Sequence, residues 1–193
     1  MKKLAYLFCL FMLLSAFTCE DEPLEDGITN EVASDTSSLI GTWTLVSMEA
    51  DINIDTNFAG IDFSSEFNAE VTNSDYNLVF TAANYTVSGD YEMTITSTFE
   101  GETTSYTDSY TDVSGSGTYS TNGNVMTIDG SFIEFDFEGM PMDVAQGEQT
   151  AQFELSSDGQ TLTFLQDEIQ TQNEAGLVAT IATVSESVWQ KVE

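Results

Sequence analysis

The sequence predicts an all-β fold, an antiparallel up-and-down meander of about eight to ten strands joined by short turns. The clearest evidence is residues 84–100, in which apolar and polar side chains alternate. Because successive side chains of a strand point to opposite faces, this alternation indicates a long strand with one apolar face. Such a meander forms either a two-sheet sandwich or a closed barrel, and the pattern alone does not choose between them.

Three dipeptides fit the turns of β-hairpins and predict which residues face each other. They are Glu100-Gly101, Asn122-Gly123 and Asp158-Gly159. In these registers large apolar residues meet each other, as a half-buried sheet requires. The predicted pairs are Tyr91 with Tyr110, Ile95 with Tyr106, Tyr119 with Met126, Gly117 with Ile128, Leu155 with Leu162, and Phe153 with Phe164.

Several stretches depart from this pattern. Residues 56–75 carry Phe63, Phe67 and Val71 at four-residue spacing, which fits a short helix and an irregular loop equally well. The first strand changes phase at Leu45-Val46, where we expect a bend and an apolar face that continues from Val46.

The second half of the chain contains further irregularities. Gly130 indicates a bulge before a strand at residues 131–137, and residues 139–148 are expected to form a loop. The last strand covers residues 177–192, with a bulge expected near Ser185.

The first 18 residues have the composition of a signal peptide. Lys2 and Lys3 precede an apolar run at residues 4–14, which is too short for a transmembrane helix. Ala16-Phe17-Thr18-Cys19 resembles the lipobox of bacterial lipoproteins, which implies that Cys19 is the lipid attachment site. The alternative is ordinary cleavage, which would leave an exposed thiol.

Residues 19–38 are polar and acidic, and they predict a flexible tether before a single folded domain at residues 39–193. The acidic residues after Cys19 resemble the export signal of surface lipoproteins in Bacteroidetes-type bacteria. This resemblance implies an outer-membrane protein that faces the cell exterior, with the periplasmic face of the envelope as the alternative. The membrane would then be contacted through the lipid anchor only.

The charge of the chain is strongly one-sided. Its 33 acidic residues outnumber 3 basic ones, which gives a net charge of −30, and histidine is absent. Nucleic acid is excluded as a partner, because its binding needs clustered Lys or Arg. The acidity favours solubility in a salty or crowded exterior over a dedicated cation site.

The sequence does not predict an enzyme, and we expect no metal and no cofactor. Its basic residues are all lysines, so the usual histidine base and arginine phosphate clamp are missing. Cys9 lies in the leader and Cys19 would carry lipid, which excludes disulfides and cysteine-bound zinc from the folded domain.

One acidic stretch has a calcium-like alternation of oxygen ligands. The required glycine at its sixth position is Thr56, so an ordinary strand with an acidic face is the better interpretation. The alternating residues are Asp51, Asn53, Asp55, Asn57 and Asp62.

The two ends of the predicted domain resemble the lipocalins. Gly41-Thr42-Trp43 looks like the G-x-W signature of their first strand. Val188-Trp189-Gln190-Lys191-Val192 is similar to the last strand of bacterial lipocalin-like proteins. The resemblance covers most of residues 39–192 and points to the lipocalin-like lipoproteins of Bacteroidetes-type bacteria. It implies that the meander closes into a lipocalin-like barrel.

The same resemblance implies roles for three residues at the closed end of the barrel. Trp43 would plug this end, Gly41 would let the backbone pass close to Trp43, and Lys191 would pack on the indole. We therefore expect the Lys191 ammonium within about 6 Å of the Trp43 ring. The alternative is a solvated terminal lysine, with Trp43 in an ordinary core.

A candidate ligand site follows from the Glu100-Gly101 register. In that register Tyr91, Tyr106, Asp108 and Tyr110 point toward the interior, where aromatic walls with a few polar groups suit a small amphipathic molecule. A buried Asp108 would need a partner. The alternative is that the hairpin extends past the barrel and leaves Asp108 in solvent.

The sequence thus predicts a surface-anchored, non-catalytic binding module for a small apolar or amphipathic ligand. The alternative is a structural or interaction lipoprotein with a filled barrel, which binds a protein or glycan through its acidic surface. A lumen of several hundred Å³ would favour the first function, and a lumen filled with side chains would favour the second.

Overall fold

Eight antiparallel strands follow one another along the chain and close into a barrel, in which the first strand pairs with the last. The computed structural model describes residues 36–58, 60–130, 132–133, 148–174 and 177–192. The all-β, up-and-down fold class is confirmed, and the sheet is a closed barrel. The strands are β1 (Gly41–Phe58), β2 (Ile61–Phe80), β3 (Asn84–Phe99), β4 (Glu102–Asn122), β5 (Val125–Asp129), β6 (Glu148–Leu155), β7 (Thr161–Glu174) and β8 (Leu177–Lys191).

The N-terminal predictions fall largely outside this part of the chain. The signal peptide, Cys19 and most of the tether belong to residues that the structure does not describe. Thr36–Ser38, the last residues of the predicted tether, form a single 3-10 turn directly before the barrel. No helix in the described ranges is long and apolar enough to cross a membrane.

Alternation of side chains gives each long strand an inner and an outer face. In β3, Tyr85, Val87, Tyr91, Met93 and Ile95 are buried, and the residues between them are exposed or half-buried. Successive side chains of a strand point to opposite faces, so the apolar set lies inside the barrel. The outer face of β3 is polar, with Thr and Ser side chains beside Asp90 and Glu92.

The hairpin between β3 and β4 has the predicted register. Tyr91 pairs with Tyr110 and Ile95 pairs with Tyr106. The turn residues Glu100 and Gly101 both have positive φ, at 50° and 82°. A two-residue turn of this kind matches the right-handed twist of the strands, which explains why a Glu-Gly pair fixes this register.

The hairpin between β4 and β5 has a register two residues away from the predicted one. Tyr119 pairs with Ile128 and not with Met126, and Gly117 has no partner on β5 among the described residues. The loop is Gly123-Asn124, because Gly123, with φ of 61°, takes the first central position of the turn. A shift of two residues preserves the faces, so Tyr119 and Met126 still point inward.

The hairpin between β6 and β7 has the predicted pairs, Leu155 with Leu162 and Phe153 with Phe164. Its loop is longer than the two residues predicted. A hydrogen bond from the Ser156 N–H to Thr161 O, at 2.9 Å, closes this longer loop. Inside this loop, Asp158 accepts hydrogen bonds from Ser156 Oγ at 2.6 Å and from Gln160 N–H at 3.0 Å. These bonds hold the pKa of Asp158 below its ordinary value.

Residues 56–75 form neither a helix nor an irregular loop, so this prediction is wrong. β1 continues to Phe58, and β2 starts at Ile61, pairs with β1 over residues 61–70 and continues as a strand through residue 75. Four-residue spacing fits one stripe of a helix, and it fits one face of a strand equally well. Phe63, Phe67 and Val71 lie on the inner face of β2.

The first strand bends where the sequence predicts it. The register between β1 and β8 shifts between Leu45 and Ser47, so Val46 is an extra residue in β1. Val46 is 60% exposed and points outward, which corrects its placement in the apolar series. β8 is continuous through Ser185 and its registers with β1 and β7 do not shift there, so the prediction of a bulge near Ser185 is wrong.

The segment after β5 enters the barrel. Phe132 and Ile133 form a bend and pack against the core, so they are not part of the strand predicted for residues 131–137. The other residues of that predicted strand and of the loop predicted for residues 139–148 are outside the described ranges, except Glu148, which begins β6.

The predicted contact between Lys191 and Trp43 is present at one end of the barrel. The Lys191 ammonium lies 5.0 Å from the centroid of the Trp43 ring and donates a hydrogen bond to Ser38 O at 3.1 Å. Trp43 is fully buried, and its Nε1 donates to Leu39 O at 2.8 Å. Gly41 has φ of 139°, and a Cβ at this position would lie 3.2 Å from Lys191 Cε. Gly41 therefore leaves room for the lysine side chain.

Replacing Lys191 with Met keeps an apolar stem and removes the charge over Trp43. We expect a loss of about 0.5–2 kcal/mol in the free energy of unfolding, the range of a partly desolvated cation–π contact. Urea denaturation followed by tryptophan fluorescence measures this change. Lys191→Arg is the control, because guanidinium also stacks on indole, and it should retain most of the stability. A Met variant as stable as the natural chain would contradict the proposed role.

Replacing Asp158 with Asn should lower the melting temperature at neutral pH, because a neutral amide is the weaker acceptor in this turn. The folded-state pKa of Asp158 is lowered. Its carboxylate therefore stabilises the fold above the unfolded-state pKa, and this stabilisation is lost as pH falls through the lowered folded-state pKa. The difference between the two melting temperatures should shrink only in that acid range. A difference that stays constant down to strong acid would refute this, with Glu154→Gln as the charge-matched control.

Candidate functional site

The lumen of the barrel is filled by aromatic side chains. Phe132 is central, with ring centroids 4.8 Å from Tyr85, 5.1 Å from Phe164 and 5.8 Å from Phe80. Tyr76 Oη donates a hydrogen bond to Phe132 O at 3.0 Å and fixes this segment inside the barrel. Among the described residues, an interior cavity of about 80 Å³ adjoins Phe132.

Two glycines make room for one of these rings. A Cβ at Gly117 or at Gly130 would lie 2.8 Å or 2.7 Å from the Tyr85 hydroxyl oxygen. Tyr85 Oη donates to Asp129 O at 3.2 Å and so joins β3 to the end of β5. Burial, and then the nearby Asp129 carboxylate, raise the pKa of Tyr85, so the hydroxyl keeps its proton.

The predicted ligand-binding residues share one face of the β3–β4 hairpin, but most of that face is part of the core. Tyr91 is 2% exposed and stacks on Tyr110, with ring centroids 4.7 Å apart and planes at 14°. Asp108 is half-buried, and Tyr106 is 40% exposed near the hairpin tip. None of the four lines the interior cavity. Their role as a ligand site stays a prediction.

The barrel wall has a gap between β6 and β7. The two strands pair only from Gln152 with Leu165 to Leu155 with Leu162. Beyond this, residues 148–151 of β6 pair with β5, and residues 166–174 of β7 pair with β8. Within the described ranges, no strand fills the space between them. The gap opens where β6 leaves β7 at Ala151 while remaining paired with β5.

Two cavities meet at this gap. The interior cavity of about 80 Å³ is lined by core residues that include Met48, Met126 and Phe164. On the outside lies a groove of about 640 Å³, lined by β1, β5, β6, β7 and β8. The two cavities therefore adjoin across the wall. The lining residues that they share are Thr150, Ala151, Gln166 and Ser185.

The outer groove combines an apolar floor with acidic walls. Val184 is 55% exposed and Val125 is 37% exposed, and half-buried Leu165 lies between their strands. The carboxylates that line the groove are those of Glu49, Asp51, Asp167 and Glu186. The register brings them together, because Glu49 pairs with Glu186 and Val184 pairs with both Asp51 and Asp167.

The inner face of β7 changes from apolar to polar beside the gap. Glu168 accepts hydrogen bonds from Gln166 Nε2 at 3.0 Å and from Gln170 Nε2 at 2.9 Å. These side chains alternate along the strand and follow Leu162 and Phe164 on the inner face. The glutamines hold the carboxylate in place beside the gap.

The sequence interpretation missed this groove, although part of the signal was present. Once Leu162 and Phe164 are placed inside, Leu165 and Asp167 must point outward, and an apolar residue beside a carboxylate on an outer face is informative. The absence of a β6 partner for the rest of β7 could not be predicted, because it depends on how β6 is placed between β5 and β7 in the folded sheet.

The calcium-like stretch is an ordinary strand. Asp51 and Asp55 point outward on β1 and are exposed, and Asn57 Nδ2 bonds Asp62 Oδ1 across the β1–β2 hairpin at 2.6 Å. Across the described ranges, no group of three or more His, Cys, Asp or Glu side chains is arranged to hold a metal ion.

Comparison with known proteins leaves the family open. No protein-family model and no curated protein matches the sequence. Among solved structures, the chain is similar to Ail, the attachment invasion locus protein of Yersinia pestis, with 6% identity and a TM-score of 0.23. The match covers 78% of this chain and 99% of Ail. A likeness this low says nothing about function, and the lipocalin resemblance depends on the motifs described above.

Replacing Ala151 with Val should partly fill the interior cavity at the gap. We expect a gain of about 0.5–1 kcal/mol in the free energy of unfolding, as is common for cavity-filling changes. Ala182→Val is the matched control, because Ala182 is half-buried on the outer face of β8, away from the cavity, and tests β-propensity alone. Urea denaturation compares the two variants. Equal gains would show that the cavity makes no difference.

Proposed function

We propose that this protein is a lipid-anchored, non-catalytic binding module of the bacterial outer membrane, a lipocalin-like barrel that faces the cell exterior and contacts its partner from outside. The anchor and location are supported by the lipobox-like residues before Cys19 and by the acidic residues after it. A non-catalytic role is supported by a chain without histidine or arginine.

The observation that carries this proposal is the filled lumen. Small-molecule sites usually have volumes of about 300–1,000 Å³, and a cavity of about 150 Å³ is needed to hold benzene. The interior cavity here has about 80 Å³. A filled lumen favours the interaction protein over a container for a small ligand, with the barrel as a rigid scaffold and the acidic outer face as the binding surface.

The outer face also supports contact with the membrane through the anchor alone. A barrel wall in contact with lipid must be apolar on its outer side. Here the outward residues of β1 and β2 include Glu49, Asp51, Glu66 and Glu70, all exposed. Burying these carboxylates in lipid would be very costly.

The position of the chain ends supports an orientation. Thr36–Ser38, Trp43 and Lys191 meet at the closed end. The tether joins the domain at that end, so the hairpin tips on the opposite end would point away from the membrane. The gap between β6 and β7 lies on the side of the barrel, where a partner in solution can reach it.

A small amphipathic ligand at the open end is a second candidate. Three aromatic residues lie on the inner face near the hairpin tips and are exposed: Phe63 by 42%, Phe99 by 48% and Tyr106 by 40%. Large exposed apolar residues grouped on one face often mark a binding surface. A ligand there would contact Tyr106 of the predicted site without entering the lumen.

Native mass spectrometry of the protein purified from its own cells tests the proposal. We expect the chain to start at Cys19, to carry several acyl chains, and to retain no small ligand after gentle activation. A Cys19→Ser variant should lack the acyl mass and leave the membrane fraction. A stoichiometric small ligand that survives purification would favour the second candidate, and a protein without acyl chains would refute the anchor.

A further inference from the structure

The outer groove, defined by Val125, Leu165, Val184 and the four carboxylates that surround them, exposes apolar surface in a concave site. Leu165 on β7 pairs with Glu186 on β8, and Val184 lies two positions before Glu186 on β8. The side chains of Leu165 and Val184 are therefore diagonal neighbours across the two strands. A groove of about 640 Å³ is large enough for several side chains of a partner.

The acidic walls of this groove lack a counter-charge from the barrel. Glu70, Glu49 and Glu186 are directly opposite one another on β2, β1 and β8. Like charges directly opposite each other on neighbouring strands destabilise a sheet. Lys191 is the single cation among the described residues, and it contacts Trp43 and Ser38 at the closed end of the barrel. A cationic partner would relieve this repulsion, so the groove is complementary in charge to a cationic partner.

The backbone beside the groove is suited to an extended partner. Residues 166–174 of β7 pair with β8 on one side, and in the described part of the chain they have no strand partner on the other side. An unpaired strand edge is a template for an added strand. An added strand would place alternate side chains on opposite faces, one set toward the interior cavity and the other toward Asp167 and Glu186.

We propose that this groove binds an extended cationic peptide segment in which apolar residues alternate with Lys or Arg, and that the segment adds as a strand to residues 166–174 of β7, which have no strand partner on that side among the described residues. This inference rests on the proposed function and names the partner class for the acidic surface. The apolar residues contact Leu165, Val184 and the interior cavity, and the basic residues contact Asp167 and Glu186. A small inorganic cation would contact the carboxylates and leave the apolar floor exposed. A small apolar molecule would leave the carboxylates without a counter-charge.

The test uses the full chain in phosphatidylcholine nanodiscs and three labelled peptides, with fluorescence anisotropy as the measurement and empty nanodiscs as the blank. One peptide alternates Leu and Lys, the second has the same composition in two blocks, and the third contains only Lys. We expect the alternating peptide to bind most tightly. Its affinity should fall as salt rises from about 0.05 M to about 0.5 M, because exposed charges are screened.

Variants then locate the binding. Asp167→Asn combined with Glu186→Gln should weaken binding of the alternating peptide about five- to tenfold, since two exposed charge contacts are lost. The matched control is Glu66→Gln combined with Glu92→Gln, which removes the same charge from β2 and β3 outside the groove and should change affinity less than about twofold. Circular dichroism verifies that both double variants fold.

A third variant tests the apolar floor. Val184→Thr keeps the β-branched shape and replaces one methyl group with a hydroxyl. It should weaken binding of the alternating peptide and leave binding of the all-Lys peptide unchanged. Equal effects on the two peptides would overturn the apolar part of the groove.

The outcomes separate the groove from the broader proposal. If both double variants weaken binding equally, the acidic surface binds cations without using this groove, so the groove is refuted and the proposed function stands. If the two mixed peptides bind equally well, the added strand is refuted. If the natural chain binds none of the peptides at low salt, both the groove and a cation-directed acidic surface are refuted.

Discussion

The pairing of the first strand with the last is the constraint on which the rest of the structure depends. β1 and β8 are paired from Trp43 with Lys191 to Phe58 with Leu177. This pairing removes the two edges that an open meander would expose, and it forces the sheet to curve. β1 carries the bulge at Val46, where its register with β8 shifts, and it begins at Gly41, which has a positive φ. The Lys191–Trp43 contact then covers the end that this closure creates.

The closed sheet also explains how so acidic a chain folds with one cation in its described part. Ion pairs cannot stabilise it, and the interior has no buried charged residue among the described residues. The stabilising terms are apolar burial and the backbone ladders, while most of the described carboxylates are on the outer face in water. Strand alternation places them there, so the acid adds solubility at little cost to the core. Where Glu70, Glu49 and Glu186 are opposite one another on β2, β1 and β8, repulsion persists, and the outer groove lies beside them.

Local sequence patterns predicted much of the fold. They failed for features that depend on contacts between distant parts of the chain. The registers set by Glu100-Gly101 and by Leu155 with Leu162 were predictable, because turn and apolar pairing agree over a few residues. The four-residue spacing of Phe63 and Phe67 could not separate helix from strand, since both periods fit it. At the site, the Lys191–Trp43 contact was predictable from the motifs at the chain ends. The gap beside β7 was not, because it follows from where β6 leaves β7 in the closed sheet, which no local pattern encodes.

The closure between β1 and β8 has a consequence for how the protein folds. The partners Trp43 and Lys191 lie almost a whole domain apart in sequence. Contacts of high sequence separation are slow to form, because the chain must lose the entropy of a long loop before it gains them. A chain that emerges N-terminus first exposes the Trp43 face of β1 until its last strand is available. Folding can therefore finish only after β8 has been synthesised, and until then one edge of β1 is unpaired and prone to aggregation.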